Sequence, residues 1–393
     1  MQRGNSDLLI QGGSVITPDG TIENGAVFIS NGKIAGLGYP DSFKTPDSTP
    51  KLDVTDCLVL PGFIDTHFHG CGGDDVMTAG AEGICRMARK LPQFGVTGFL
   101  PTTVSAPHAQ ILAAIHSCDE ARRYAPAESS RILGMHIEGP FINPFRKGAQ
   151  PTEGIRDPNP GECEEYISAA SDIIRMMTFA PEMPEADTLI AVLCQAGAVP
   201  SMGHSDADYD TACHAIHCGA SHATHLFNQM APLHHRKPGL IGACLSDSTV
   251  IVELITDGVH LSPAIVRLAV AAKGPDRVAL ITDAISALGM PEGEYNLGSH
   301  RVRVHGNRCS LADGTLAGSV HRMDLAFVNT MAFADCGPEA ASRMASAVPA
   351  RVAGVGNRKG ALAPGMDADI TVMKEGRVMV TIIEGKVAYQ AAL

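Results

Sequence analysis

Seven side chains able to bind a metal or move a proton stand at the ends of apolar runs in this chain: His67, His69, Glu138, His204, His225, His260 and Asp283. In His67-Phe68-His69 the two imidazoles are spaced by two, which on an extended strand turns both to one side. Glu138 precedes Gly139-Pro140, and the remaining four close later runs of the same apolar, β-branched kind. A lone histidine at a strand end is an ordinary structural residue. Several that converge with one carboxylate make a nitrogen/oxygen shell suited to Zn²⁺ or Fe²⁺, whereas Ca²⁺ and Mg²⁺ prefer oxygen. Asp283, on the last run, is placed to take a proton from a water that such an ion activates. Cys213-His214-Ala215-Ile216-His217-Cys218 lacks zinc-finger spacing and falls on a helical stretch, so it reads as packing plus solvent contact. His234-His235 lies in the loop after the sixth run, where a substrate-facing role is open.

These residues need a scaffold that brings distant strand ends together. Between residues 59 and 354 the chain alternates apolar runs such as VTGFLPTTV, MMTFAPE and VALITDAI with helical stretches such as AEGICRMARKLPQFG and SPAIVRLAVAAKG. Eight such units predict an α/β fold, a (β/α)₈ TIM barrel, in which the carboxyl ends of the strands form one rim. An open doubly wound sheet is the alternative, but its Gly-rich phosphate loop is missing. Residues 1–58 and 355–393 read as short alternating strands broken by Gly, Asn and Asp, which predicts a small β-sandwich domain built from both termini. Two separate terminal hairpins would struggle to bury a core.

The 393 residues are enough for two or three domains, or one large barrel with an accessory piece. Hydrophobic residues at 45% and charged ones at 18% describe a globular chain, and a formal charge of −12 argues against nucleic-acid or basic membrane-surface binding. A small anionic substrate held by a few local cations remains compatible. Eleven cysteines without a paired C-x-x-C framework read as reduced thiols of the cytoplasm. The start, MQRGNSDLLIQGG, has no apolar h-region and no long apolar run follows, which predicts neither export nor a membrane span.

The motifs PGFIDTHFHG, HIEGPF, GHS, THLFNQM with HRKPGLIGA, DGVH, TDA and LAGS follow one another along the whole chain. In them the sequence resembles the amidohydrolase superfamily and, within it, the N-acetylglucosamine-6-phosphate deacetylase family. The resemblance implies that Glu138, His204 and His225 bind a divalent metal, Zn²⁺ or Fe²⁺, and that Asp283 is the general base that later protonates the leaving amine. It further implies that His260 and Arg236 meet the sugar phosphate, supported by Asn228 and Gln229, and that Ala149, Gln150, Leu316, Ala317 and Gly318 line the substrate pocket. In the family the arginine comes from the neighbouring subunit, so a homodimer is implied, as is the product pair D-glucosamine 6-phosphate and acetate.

The chain departs from the family pattern in three respects. Some members replace the first-strand pair by amides and keep one ion; here His67 and His69 are intact, which implies a second position bridged by Glu138. Gln150 stands where a histidine that polarises the acetyl carbonyl is usual, and Gln cannot carry a proton charge. Gln229 replaces a small residue, and His321-Arg322 replaces an apolar residue and a threonine, which predicts extra polar bulk near the mouth. Another N-acetyl hexosamine, such as N-acetylgalactosamine 6-phosphate or an unphosphorylated sugar, is the neighbouring reading. A cyclic-amide hydrolase is less apt, because that branch bridges its metals with a modified lysine. A sugar-phosphate-binding sensor should have lost Asp283 or a ligand, and none is missing.

Overall fold

A computed structural model of the chain describes residues 7–170 and 172–391. The architecture is mixed α/β. Its centre is eight parallel strands: β1 (Phe63–Phe68), β2 (Val96–Pro101), β3 (Met135–Glu138), β4 (Ile174–Phe179), β5 (Val199–Met202), β6 (His222–Ala223), β7 (Ile251–Ile255) and β8 (Val278–Ile281). They include largely apolar runs such as VALI and VTGFLP, every residue of which is buried, the pattern of parallel strands covered on both faces. β1 pairs with β2 in one sheet, and β3 to β8 pair in sequence in another. Isolated parallel bridges join the edges of the two sheets, Thr102 to His136 beside β2 and β3, and Phe68 to Ala284 beside β1 and β8.

Helices return the chain from each strand to the next. The helix Gly80–Lys90 buries Ile84, Met87 and Ala88, which share one face at helical spacing. Tyr209–Cys218 starts where the Asp208 side chain accepts from the Thr211 N–H at 2.8 Å and stops at Gly219, whose φ is 122°. That helix carries the Cys213–Cys218 segment; Ala212 and Ala215 are its buried residues, while His214 faces outward onto Asp187.

Both chain ends build one eight-stranded sheet. Its N-terminal strands are Leu8–Thr17, Gly20–Ser30, Lys33–Gly38, Lys51–Asp53 and Leu58–Pro61; its C-terminal ones are Ile370–Lys374, Arg377–Ile383 and Lys386–Gln390. Ile370–Lys374 runs antiparallel to Leu58–Pro61 and so stitches the two ends together. The sheet has an apolar cluster of its own, including Ile10, Val27, Val59, Ile370 and Ile382. Residues 1–6 and 392–393, at the extremes of the expected terminal unit, lie outside the described residues.

Two local readings of the sequence change. The run LVLPGFIDTHFHG is two strands, because Pro61 offers no N–H to continue the ladder and the chain crosses to the other sheet at Gly62. A Cβ at Gly62 would lie 2.3 Å from the Thr97 side chain, so only glycine allows that passage. After β8, Gly293–Leu297, His300–His305 and Arg308–Ser310 form an unanticipated antiparallel sheet, packed through Leu297, Val302, Val304 and Cys309.

A buried ion-pair cluster ties the segment after the last helices to the terminal sheet. Lys359 is buried, with Nζ 2.6 Å from Asp369 and 3.0 Å from Asp367, and Arg358 adds 2.8 Å to Asp367. Burial pushes the Asp367 carboxyl up, but Lys33, Lys359 and Arg358 outweigh it and hold it down to about 2. Removing one partner of such a cluster strands a buried charge, so Lys359→Met should lower the unfolding free energy by about 3–5 kcal/mol in urea titrations. Because the folded carboxyl of Asp367 is depressed, its contribution is present above about pH 4 and fades as pH falls toward 2. Asp367→Asn should therefore flatten the acid limb of the stability curve in that window.

Candidate metal centre

The parallel strands deliver their polar termini to one point. His67 lies within β1 and His69 just beyond it, Glu138 ends β3, and His204, His225 and Asp283 each follow their strand by two residues. His204 Nε2 is 3.2 Å and His225 Nε2 is 3.1 Å from Glu138 Oε1, and the two nitrogens are 3.1 Å apart. On the other side, His67 Nε2 is 3.2 Å from His69 Nε2, which is 3.2 Å from Asp283 Oδ1. Glu138 stands between the sets, 3.4 Å from both His67 and His69. Ligand atoms around a tetrahedral Zn²⁺ at 2.0–2.1 Å sit roughly 3.3 Å from one another, so both trios, Glu138–His204–His225 and His67–His69–Asp283, have the spacing of a coordination shell.

The tautomers follow from what the far side of each ring touches. His69 Nδ1 is 3.1 Å from the Thr102 carbonyl, His204 Nδ1 is 2.8 Å from the Arg146 carbonyl, and His67 Nδ1 is 3.0 Å from Glu253 Oε2. These acceptors take the Nδ1 proton, which leaves the Nε2 lone pairs aimed at the centre. His225 Nδ1 is buried with no partner among the described residues. His204, His225 and Asp283 have φ of 48°, 30° and 50°, a left-handed backbone that L-residues with a Cβ avoid. Three such residues at one site mark positions where side-chain placement outweighs backbone comfort.

The surrounding imidazoles act on both central carboxyls. Burial pushes the Glu138 carboxyl up, yet His67, His204 and His225 overcome it and hold it well below its ordinary range. Burial likewise opposes ionisation of Asp283, and the charges of His67 and His69 override it in the same way. Gln150 is buried in the loop after β3; it accepts from the Ser105 N–H at 2.6 Å and its Nε2 donates to Glu138 Oε2.

An open cleft lies above the centre. His69, Glu138, His204, His225 and Asp283 form its floor, and Ala149, Gln150, Asn228, Gln229, His260, Leu316 and Gly318 its wall. Gly318 is obligatory there, since its φ is 56° and a Cβ would meet Ile285 at 2.4 Å. Asn228 donates to the His225 carbonyl at 3.1 Å, which braces the left-handed turn. His260 sits five residues beyond β7, with Nδ1 2.7 Å from Asp257. Burial opposes its protonation, but Asp257 wins and raises it above the usual imidazole value.

Several sequence readings land elsewhere. Ala317 is buried behind the wall among Val104 and Ile285 and does not line the cleft. Arg236 is exposed and 2.8 Å from His235, and His234 and His235 are exposed beside it, away from the cleft of their own chain. His321 does not crowd the mouth: it is buried, and burial pushes its imidazole down to about 4 despite nearby Asp257. Arg322 turns to Asp324 at 2.9 Å and lies over the Phe94 ring. The sequence reading missed Glu253 and Asp257, the carboxylates that hold His67 and His260. Glu253 is hidden in the apolar run IVELI, while Asp257, three residues before His260 in DGVH, was legible as a turn former.

Residues 58–388 match the model of the amidohydrolase family. An N-acetylglucosamine-6-phosphate deacetylase of Bacillus subtilis (strain 168) is 38% identical over 97% of each chain. An N-acetylgalactosamine-6-phosphate deacetylase of Escherichia coli O157:H7 is 35% identical, covering 95% of this chain and 97% of that relative. Among solved structures, a point mutant of N-acetyl-D-glucosamine-6-phosphate deacetylase from Mycobacterium smegmatis, in complex with N-acetyl-D-glucosamine-6-phosphate, superposes with a TM-score of 0.91 at 32% identity, covering 98% of this chain and 100% of that one.

An ion that binds only the folded chain stabilises it by mass action, about 2.7 kcal/mol at one hundred times its Kd. Adding Zn²⁺ to chelator-stripped protein should therefore raise Tm, and His204→Asn should remove most of that rise in a calorimetric scan.

Proposed function

The chain belongs to the N-acetylglucosamine-6-phosphate deacetylase family of the amidohydrolase superfamily, and on that premise we propose that it hydrolyses the acetamide of N-acetyl-D-glucosamine 6-phosphate to D-glucosamine 6-phosphate and acetate. The observation that carries this reading is the convergence of Glu138, His204, His225 and Asp283 on the floor of one cleft. The amidohydrolase family depends on divalent metal. Glu138, His204 and His225 would hold one ion, Zn²⁺ in preference to Fe²⁺, and His67 and His69 would hold a second, with Glu138 within reach of both sets. When bound, the metal supplies Lewis acidity, which polarises the acetyl carbonyl and lowers the pKa of a water molecule.

The chain's own residues do the rest. Asp283, on the floor of the cleft, accepts a proton from the attacking water as the new C–O bond forms. It then returns that proton to the sugar nitrogen as the C–N bond breaks, so that the amine leaves neutral. Gln150 holds Glu138 in place through its amide, and Ala149, Leu316 and Gly318 give the sugar its wall. His260, oriented by Asp257, which also raises its pKa above the usual imidazole value, offers its Nε2 side to the phosphate, with Asn228 and Gln229 beside it. Arg236 is exposed on its own chain, which supports a homodimer in which the partner's copy completes the phosphate site with bidentate geometry.

At the level of architecture we read the two parallel sheets as one closed (β/α)₈ barrel over residues 59–354, supported by the bridges at both sheet edges. The sheet from residues 1–58 and 355–393 is read as a β-sandwich, supported by its separate apolar cluster. The cytoplasm is the compartment we assign; among the described residues no helix is long and apolar enough to cross a membrane.

The relative that acts on the galactosamine epimer makes N-acetylgalactosamine 6-phosphate the competing substrate. Acetate release from a panel of N-acetyl hexosamines, with and without phosphate and with and without chelator, decides. The glucosamine phosphate should be hydrolysed fastest and chelator should abolish turnover; a preference for the epimer would overturn the substrate assignment. Asp283→Asn should lower kcat by about 10²–10⁴. His260→Asn should raise KM for the phosphorylated sugar and leave the unphosphorylated one unchanged.

A further inference from the structure

We propose that Glu253 is a positioning residue of the metal centre: by holding the ring of His67 and the backbone of His225 on a single oxygen, it sets how tightly the first-strand metal position binds its ion. The inference rests on the metal-centre reading above and assigns to it a residue that touches neither cleft nor substrate.

Glu253 sits in the middle of β7, fully buried, between Val252 and Leu254 in a strand that is otherwise apolar. Its Oε2 is 3.0 Å from His67 Nδ1 and accepts the His225 N–H at 3.0 Å. The two donors belong to different trios, so one carboxylate spans both halves of the centre. It also differs in kind from the other anchors: His69 and His204 lean on backbone carbonyls, while His67 alone leans on a carboxylate. A charged acceptor binds the Nδ1 proton more strongly than a carbonyl does and makes the opposite nitrogen a better ligand.

Among the described residues Glu253 Oε1 is buried without a hydrogen-bond partner, and His222 Nε2, 4.0 Å away, is also unpartnered. A buried carboxylate satisfied on one side only is costly, and an apolar residue would pack in its place at no such cost. A positive ion directly beyond His67 accounts for its presence, since Coulomb attraction through a buried ring acts in a medium of low dielectric.

The test is a Co²⁺ titration of the chelator-stripped full-length protein, followed by ligand-field absorption and by metal analysis after desalting. Wild type should take up two ions per chain. Glu253→Ala should weaken the looser binding step by about 10–100-fold, and Glu253→Gln, which keeps an oxygen acceptor without the charge, should weaken it less. In a His67→Asn background neither change should lower affinity further. Wild-type affinity in both variants would overturn this inference alone, as would equal losses in the presence and absence of His67, which would mean a merely structural role. Uptake of one ion by wild type would overturn the two-ion reading together with this one. Should Glu253→Ala fail to fold by circular dichroism, the Glu253→Gln and His67→Asn pair completes the comparison unaided.

Discussion

Four imidazoles and two carboxylates approach one another within 3.1–3.7 Å at the floor of the cleft, and that crowding is the constraint the rest of the molecule serves. Lone pairs aimed at a common point repel unless something positive lies between them. The chain commits three of the four Nδ1 atoms to acceptors and accepts left-handed backbone at His204, His225 and Asp283. Neither arrangement helps a fold for its own sake. Both are intelligible as the means of keeping Nε2 atoms pointed inward, and the buried apolar strands behind them supply the rigidity that holds such a geometry.

Much of this was readable in the primary structure, and the reasons are specific. The parallel strands announced themselves as apolar runs, and their termini as the places where histidine, glutamate or aspartate broke those runs. His67 and His69 declared a shared side through a period of two. What escaped had contrary signals. Glu253 is a single charge inside IVELI, indistinguishable by pattern from a half-exposed strand residue. The passage at Gly62 looked like strand continuity because nothing local reveals that Pro61 and Phe63 belong to different sheets. The hairpins from Gly293 to Ser310 carry an alternating HRVRVH and a Gly306 turn, cues that were drowned by the expectation of a helix after the eighth strand. The resemblance points Ala317 and the departure at His321 toward the cleft, while both side chains are buried in the interior.

Gln150 shows how a departure from pattern can be absorbed. A histidine there would reach for substrate as a cation; the amide instead bonds Ser105 on one side and Glu138 on the other. Its polarity is spent within the protein, on the carboxylate that stands between the two trios.

The loop from Asn143 to Gln150 joins these themes. Its Arg146 carbonyl orients His204, its Gln150 steadies Glu138, and its Ala149 forms cleft wall. Arg146 also clasps Asp206 at 2.7 Å, two residues past His204. One short stretch of backbone therefore both lines the cleft and fixes two residues of the centre, so rebuilding it to reshape the cleft would disturb His204 and Glu138 at the same time.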